Sequence, residues 1–197
     1  ATDRIKIRLV PAFGSYMDQN YPGGYSINNL MEASLGVKPW SEKDVWIEAG
    51  LIGSPFTNEN PVSRDHIMYT RSLAAEYSPY YLAGVKITAA LSKRMKGSFY
   101  LLNGWQTIRQ EEEFPPAITG QLEFTLNKNN LINWNVYYQD RETHRRIFSD
   151  IYWIGTKDKW KFTSCFYAGN DESKVYRPNS IFQRDGFWCN ANFATSY

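Results

Sequence analysis

The side chains that most often carry catalysis are few in this chain, and their spacing does not form a catalytic site. The two histidines, His66 and His144, have no nucleophile or metal-ligand partner at a recognisable distance along the sequence. The two cysteines, Cys165 and Cys189, fall on consecutive predicted strands but on opposite faces, which argues against a disulfide. We therefore expect a protein with no enzymatic activity and no cofactor, and with two free, buried thiols.

A run of three glutamates at positions 111–113 is a further candidate for chemistry. Carboxylate oxygens are ligands that Ca²⁺ prefers, so this run could bind Ca²⁺ or a cation that bridges lipopolysaccharide. No other ligand follows at a defined spacing, and such a charge run is usually a solvated loop. We therefore predict no metal site.

Charged side chains recur at alternate positions of segments that have a strand pattern. In one such segment, Ile118, Leu122 and Phe124 alternate with Gln121 and Glu123. Since successive side chains of a strand point to opposite faces, the charges share one face of the predicted sheet. These residues are Lys6, Arg8, Glu32, Lys38, Glu48, Lys86, Glu123, Asp150 and Lys161. Inside a barrel they would either line an aqueous path or pair with one another and fill it.

The strand pattern covers most of the chain. β-branched and aromatic residues alternate with polar ones, and Gly, Pro, Asn and Asp separate the segments. We predict about ten strands, each close to the roughly 9–11 residues that a tilted membrane strand needs. They lie near residues 4–15, 26–38, 45–54, 80–92, 96–106, 117–126, 131–139, 146–156, 159–168 and 184–196.

The predicted connections are short on one side of the sheet and long on the other, as in outer-membrane barrels. The short turns are at 41–44, 92–95, 127–130 and 157–158, and the longer loops are at 16–25, 55–79, 107–116, 140–145 and 169–183. Residues 1–197 are therefore predicted to form a single domain. Its fold is an all-β, transmembrane, antiparallel up-and-down β-barrel.

Composition indicates which face of this sheet points outward. The chain of 197 residues is 16% aromatic, yet its mean hydropathy is −0.51 and it has no apolar run long enough for a spanning helix. A barrel faces lipid with alternate residues and collects Tyr and Trp near its two interfaces. Aromatic residues near predicted strand ends are Tyr16, Trp40, Tyr81, Trp105, Trp153 and Trp160. We predict that the apolar face points into lipid; a soluble carbohydrate-binding β-sandwich stays open as an alternative.

The longest predicted connection, residues 55–79, holds the candidate constriction of a pore. A long loop of a porin can fold into the barrel, where its charged side chains set the local field. The candidates are Arg64, Asp65, Arg71 and Glu76. The alternative is an external loop in which Arg71 and Glu76 merely hold the shape of the loop.

Three stretches between residues 28 and 108 carry a family resemblance: EASLGVKPWSEKDVWIEAGLIGSPF, YTRSLAAEYSPYYLAGVKI and LLNGWQTI. They contain Thr-Arg-Ser at 70–72, Glu-Tyr-Ser-Pro-Tyr-Tyr at 76–81, Gly-Val-Lys at 84–86 and Asn-Gly-Trp-Gln at 103–106. In this combination and order the chain resembles the OmpL-like β-barrel porin family of Gram-negative outer membranes. Beyond residue 110, the strand rhythm and GFWCNANFATSY are similar to the family.

The resemblance implies an outer-membrane protein that contacts lipid and lipopolysaccharide and passes small hydrophilic solutes passively. Family members are longer, so we expect a part of a larger barrel, incomplete at both ends; a closed barrel of about ten strands is the alternative. Such a small barrel would be nearly filled by side chains. A second hypothesis is therefore a plugged accessory subunit of an outer-membrane complex, in contact with other outer-membrane proteins. The 22 basic and 20 acidic residues give no basis for nucleic-acid binding.

Overall fold

The computed structural model describes residues 3–14, 29–60, 62, 64, 66–67, 71–109, 115–142, 144–173 and, for the backbone alone, 186–196. In this part of the chain the strands are β1 (Ile5–Pro11), β2 (Leu30–Val37), β3 (Val45–Gly53), β4 (Tyr81–Ser92), β5 (Met95–Leu102), β6 (Ala117–Asn127), β7 (Asn130–Asp140), β8 (His144–Lys157), β9 (Trp160–Ser173) and β10 (Gly186–Ser196). A short helix, α1 (Leu73–Glu76), lies between β3 and β4.

Every strand pairs antiparallel with the next strand in the chain, so the order across the sheet is the order in the sequence. The turns after β4, β6 and β8 are two residues long, and Asp158 in the last of them has a positive φ of 54°. The predicted all-β, antiparallel, up-and-down architecture is confirmed. Within the described residues β1 and β10 are the two edges of the sheet and do not pair with each other. A second sheet, which a sandwich requires, is absent from these residues, so the sandwich alternative is wrong.

The connection between β7 and β8 differs from the prediction. A longer loop is predicted at 140–145, but residues 141–143 alone separate the two strands. The ladder continues to the pair Asp140 and Arg145, and the backbone N–H of Arg141 donates to the carbonyl oxygen of His144 at 2.7 Å. Arg145 and Arg146 also pair with the carboxylates of Glu172 and Asp171 on β9. These cross-strand ion pairs extend the ladder past the predicted strand ends.

The outer face of the sheet is apolar. On β7, Trp134, Val136 and Tyr138 are exposed, whereas Asn133 and Asn135, which alternate with them, are buried. Other exposed side chains of this face are Leu35, Val85, Ile87, Phe99, Leu101, Ile118, Ile147, Ile151 and Phe166. The polar residues therefore face the interior, as the sequence predicts, in the arrangement typical of membrane barrels.

Two glycines opposite each other on β3 and β4 let the strands approach their outer neighbours closely. Gly50 and Gly84 are paired in the ladder and have positive φ angles of 127° and 156°. A Cβ at Gly50 would lie 2.2 Å from the carbonyl oxygen of Ala33, and one at Gly84 would lie 2.2 Å from that of Leu101. Any larger residue would push β2 or β5 away, so both positions require glycine.

Aromatic side chains stack on the outer face beside the turn between β8 and β9. The ring of Phe162 lies 6.3 Å from that of Trp153 and 6.3 Å from that of Trp160. Such a band fits the predicted interfacial position of these tryptophans. The interfacial position is wrong for Tyr81, which is buried, and for Trp105, which packs against the inner face of the sheet. Tyr16 lies outside the described residues. No described helix is long and apolar enough to cross a membrane.

Candidate functional site

A segment that follows β3, residues 54–60, lies against the inner face of the sheet, and we call it the inner loop. Its Phe56 is 2% exposed. The Phe56 ring lies 5.7 Å from Trp105, 5.4 Å from Phe148 and 6.3 Å from Tyr137. Tyr167 extends this group, with its ring 5.9 Å from that of Phe148. We call these five residues the aromatic cluster. Its edge-to-face and stacked contacts fill the space beside β7, β8 and β9.

Hydrogen bonds fasten the inner loop to the same three strands. The backbone N–H of Thr57 donates to Oδ2 of Asp150 at 2.5 Å. Nδ2 of Asn135 donates to the carbonyl oxygen of Pro55 at 3.0 Å. Nδ2 of Asn58 donates to Oγ1 of Thr163 at 2.6 Å. A loop that leaves β3 reaches β7 to β9 only if the sheet curls round, so the inner face encloses an interior.

The described residues 71–76 of the long connection also lie on the inner side. Ser72 donates from its backbone N–H and from its hydroxyl to Oε2 of Glu59, at 2.9 and 2.7 Å. In α1, Ala74 and Ala75 are buried, and the helix contacts β9 and β10. The connection therefore folds inward, which is one of the two alternatives that the sequence leaves open.

The structure brings two of the four predicted constriction residues together. Nη1 of Arg71 lies 3.9 Å from Oε1 of Glu76, and the Arg71 guanidinium lies 5.2 Å from the centre of the Tyr80 ring. Arg64 is exposed, and Asp65 lies outside the described residues. Arg71 and Glu76 hold each other within an inward-folded loop. Their influence on a pore field stays a prediction.

A second region of the interior, which we call the polar pocket, lies toward the short turns. Its volume is about 320 Å³, and Trp46, Thr88, Ser98 and Gln121 line it together with charged residues. Glu48 is 8% exposed. Its Oε1 lies 2.9 Å from Nζ of Lys6, and its Oε2 lies 3.7 Å from Nζ of Lys86. Nζ of Lys96 lies 3.2 Å from Oε1 of Glu123. The pocket is therefore lined by ion pairs rather than by charge of one sign.

Among the described residues, Arg8, Glu32 and Lys38 follow the same rule, whereas Lys161 and Asp150 do not. Glu32 accepts a hydrogen bond from Nη2 of Arg8 at 3.0 Å, and Lys38 lies 3.6 Å from Asp44. Lys161 is exposed. Asp150 is 1% exposed and is bound by the backbone of the inner loop, and no Lys, Arg or His of the described residues forms an ion pair with it. The interior charges could line an aqueous path or pair with one another, and this pattern favours mutual pairing.

Strand periodicity does not predict the aromatic cluster. Tyr137 and Phe148 share the inner faces of their strands with Asn135 and Asp150, so two large apolar rings interrupt an otherwise polar face. That interruption is the signal that could have found them. Phe56 and Trp105 lie in connections, where no periodicity marks the direction of a side chain. Among the described residues no three His, Cys, Asp or Glu side chains group as a metal site, and residues 110–114 lie outside that part of the chain.

Comparison with known protein families gives a match over the whole chain. The model of a family described as "Putative beta-barrel porin-2, OmpL-like" matches residues 1–197. No curated protein matches the chain, and no solved structure does. The family match and the single up-and-down sheet agree, and the match extends the resemblance beyond residues 28–108 to both ends of the sequence. The chain belongs to the OmpL-like β-barrel porin family.

Proposed function

We propose that this chain forms a porin-like barrel wall in the outer membrane and allows small hydrophilic solutes to pass without an energy source. The observation that carries the proposal is the reversed polarity of the sheet, with an exposed apolar outer face and a charged inner pocket. A water-soluble protein would hide that outer face, whereas lipid solvates it. Lipid and lipopolysaccharide are the partners that this face would contact. The family supports a porin-like, non-enzymatic role in general.

In this proposal the solute passes beside the ion pairs of the polar pocket. Glu48 and Glu123 are matched by Lys6, Lys86 and Lys96, so the pocket offers hydrogen-bond donors and acceptors without a strong net charge. Such a lining suits neutral or zwitterionic solutes and discriminates weakly between cations and anions. The inner loop narrows the other half of the interior, so the conductance should be small.

Single-channel recording in a planar bilayer tests the proposal. The detergent-purified protein should give stable, ohmic steps that are small for a porin and weakly ion-selective. Protein inactivated by boiling is the control. Insertion verified by protease protection, without any conductance, would refute passive passage through this barrel. A protein that stays monodisperse without detergent would refute the membrane location.

A second candidate function is an accessory barrel with a plugged interior, in a complex with other outer-membrane proteins. The aromatic cluster favours it, because five rings and the inner loop fill the space beside β7 to β9. Silent insertion of the wild-type protein together with a silent Phe56→Ala variant would support this candidate. Conductance of the wild-type protein would favour the pore, whereas conductance of Phe56→Ala alone would show that the aromatic cluster plugs the native interior.

A further inference from the structure

Buried oxygen atoms without a hydrogen-bond donor gather beneath the inner loop. Within the part of the chain that the structure describes, Oδ1 accepts no hydrogen bond in Asn58, Asn133, Asn135 and Asp150. Asn133, Asn135 and Asp150 are each 1% exposed or less. Buried polar atoms are nearly always satisfied, and each unsatisfied one is costly. Four such oxygens on neighbouring side chains point to a missing partner that donates a hydrogen bond or carries positive charge.

The four side chains lie on or beside one short piece of backbone, residues 55–58. Asn135 and Asp150 are paired in the ladder between β7 and β8, and both bind this piece, through Pro55 and Thr57. Asn133 is paired with Tyr152, whose hydroxyl lies 3.5 Å from the carbonyl oxygen of Pro55. Asn58 belongs to the piece itself. Amide and carboxylate oxygens from the loop and from two strands thus lie near the same piece of backbone.

The charge of Asp150 identifies the class of the missing partner. Each of the interior glutamates Glu32, Glu48 and Glu123 has a Lys or Arg beside it, whereas no described cationic side chain pairs with Asp150. A buried carboxylate without a positive partner is strongly unfavourable. One positive charge would neutralise it, while a divalent ion would leave an excess charge in the same buried space. Hard oxygen ligands suit an alkali or alkaline-earth cation rather than a transition metal.

We propose that Asp150 and the amide oxygens of Asn58, Asn133 and Asn135 form a site for a monovalent hard cation, of which Na⁺ is the probe, beneath the inner loop. The proposal goes beyond the passage of solutes and does not depend on it. The site joins the loop that follows β3 to β7 and β8. Bound cation therefore stabilises the folded barrel and holds the inner loop against the wall.

Thermal unfolding of the detergent-purified chain, followed by circular dichroism, is the first test. The unfolding temperature should rise with NaCl and stay lower in N-methylglucamine chloride of equal ionic strength. Sodium NMR on the same sample should show line broadening by exchange with bound ion. Asp150→Asn should weaken Na⁺ binding by on the order of tenfold or more. Glu172→Gln, which alters an exposed carboxylate paired with Arg145, is the control and should leave the Na⁺ dependence intact.

A second variant keeps the proposal testable if Asp150→Asn fails to fold. Asn133→Asp adds a carboxylate to the same site, so it should gain stabilisation by Ca²⁺ that the wild type lacks. Equal unfolding temperatures in the two chloride salts would overturn the proposal and indicate that a proton or water satisfies Asp150. A wild type stabilised by Ca²⁺ and not by Na⁺ would overturn the monovalent assignment.

Discussion

The two regions of the interior are built on different physical principles. The aromatic cluster excludes water: Phe56, Tyr137, Phe148 and Tyr167 are each 2% exposed or less. The polar pocket holds charges that stay near water: Lys6 and Lys96 have side chains that are 45% and 58% exposed. Burial of apolar area stabilises a fold strongly, whereas ion pairs in contact with water contribute little. The first region should therefore contribute most to stability, whereas the second stays in contact with water.

The largest effect should follow the removal of the ring at the centre of the aromatic cluster. Phe56→Ala would leave a cavity among Trp105, Tyr137 and Phe148, so we expect a loss of about 3–5 kcal/mol in the free energy of unfolding. Urea unfolding in detergent, followed by tryptophan fluorescence, measures it. Phe13→Ala is the matched control, since Phe13 is 77% exposed, and should change the free energy by less than about 0.5 kcal/mol. Equal losses in both variants would contradict a packed interior.

A smaller effect is expected at the best-buried charge of the polar pocket. Glu48→Gln leaves Lys6 and Lys86 without their carboxylate and should cost about 1–3 kcal/mol. The net charge of the pocket becomes one unit more positive, so the reversal potential in a salt gradient should shift toward anions. Glu172→Gln, on the loop side of β9, is the control for selectivity. An unchanged reversal potential in Glu48→Gln would show that ions do not pass beside Glu48 in the polar pocket.

At the border between the two regions, a single hydroxyl can be removed without a change of shape. Tyr100 is buried beside Leu82 and Leu102, and its hydroxyl donates to Oε1 of Gln121 at 2.8 Å. Tyr100→Phe should cost about 0.5–1.5 kcal/mol, the net value of one hydrogen bond. Urea unfolding in detergent measures this loss, and Tyr138→Phe on the outer face is the control. A larger loss of unfolding free energy in Tyr138→Phe than in Tyr100→Phe would contradict the assignment of Tyr138 to the outer face.

The smallest effect should belong to the exposed ion pair of the pocket. Lys96→Gln removes the partner of Glu123 and should cost no more than about 1 kcal/mol. Because salt screens such a pair, the difference from wild type should shrink when unfolding is repeated at high ionic strength. A loss that is larger than in Glu48→Gln, or insensitive to salt, would show that the pocket is not open to water.

The sheet could be predicted from the sequence because the features that define it extend over only a few neighbouring residues. Strand periodicity and turn residues gave the strand count and the identity of the outer face, since each depends on neighbours within a few positions. The strand ends were less certain: β2 starts at Leu30 and β9 continues to Ser173, against predicted limits of 26 and 168. Pairs such as Arg146 with Asp171 set the end of β9, and these join residues far apart in the chain.

The interior was predicted only in part. Alternation predicts that Glu32, Glu48, Lys86, Glu123 and Asp150 share one face, but it does not say which charges pair. The inner loop could not be predicted at all, because nothing in residues 54–60 shows that Phe56 packs on Phe148 or that Thr57 binds Asp150. Such contacts are decided by the curvature of the sheet, which no local pattern encodes.

The distance along the chain between the inner loop and its partners has a consequence for biogenesis. Each strand finds its neighbour within one hairpin, so the wall can grow by successive short-range steps. The partners of Thr57 and Asn58, by contrast, lie 93 and 105 residues later in the chain. The loop therefore has no docking place until β8 and β9 have been added. We therefore expect the inner loop to dock only after β8 and β9 have joined the wall, so the interior should fill late in folding.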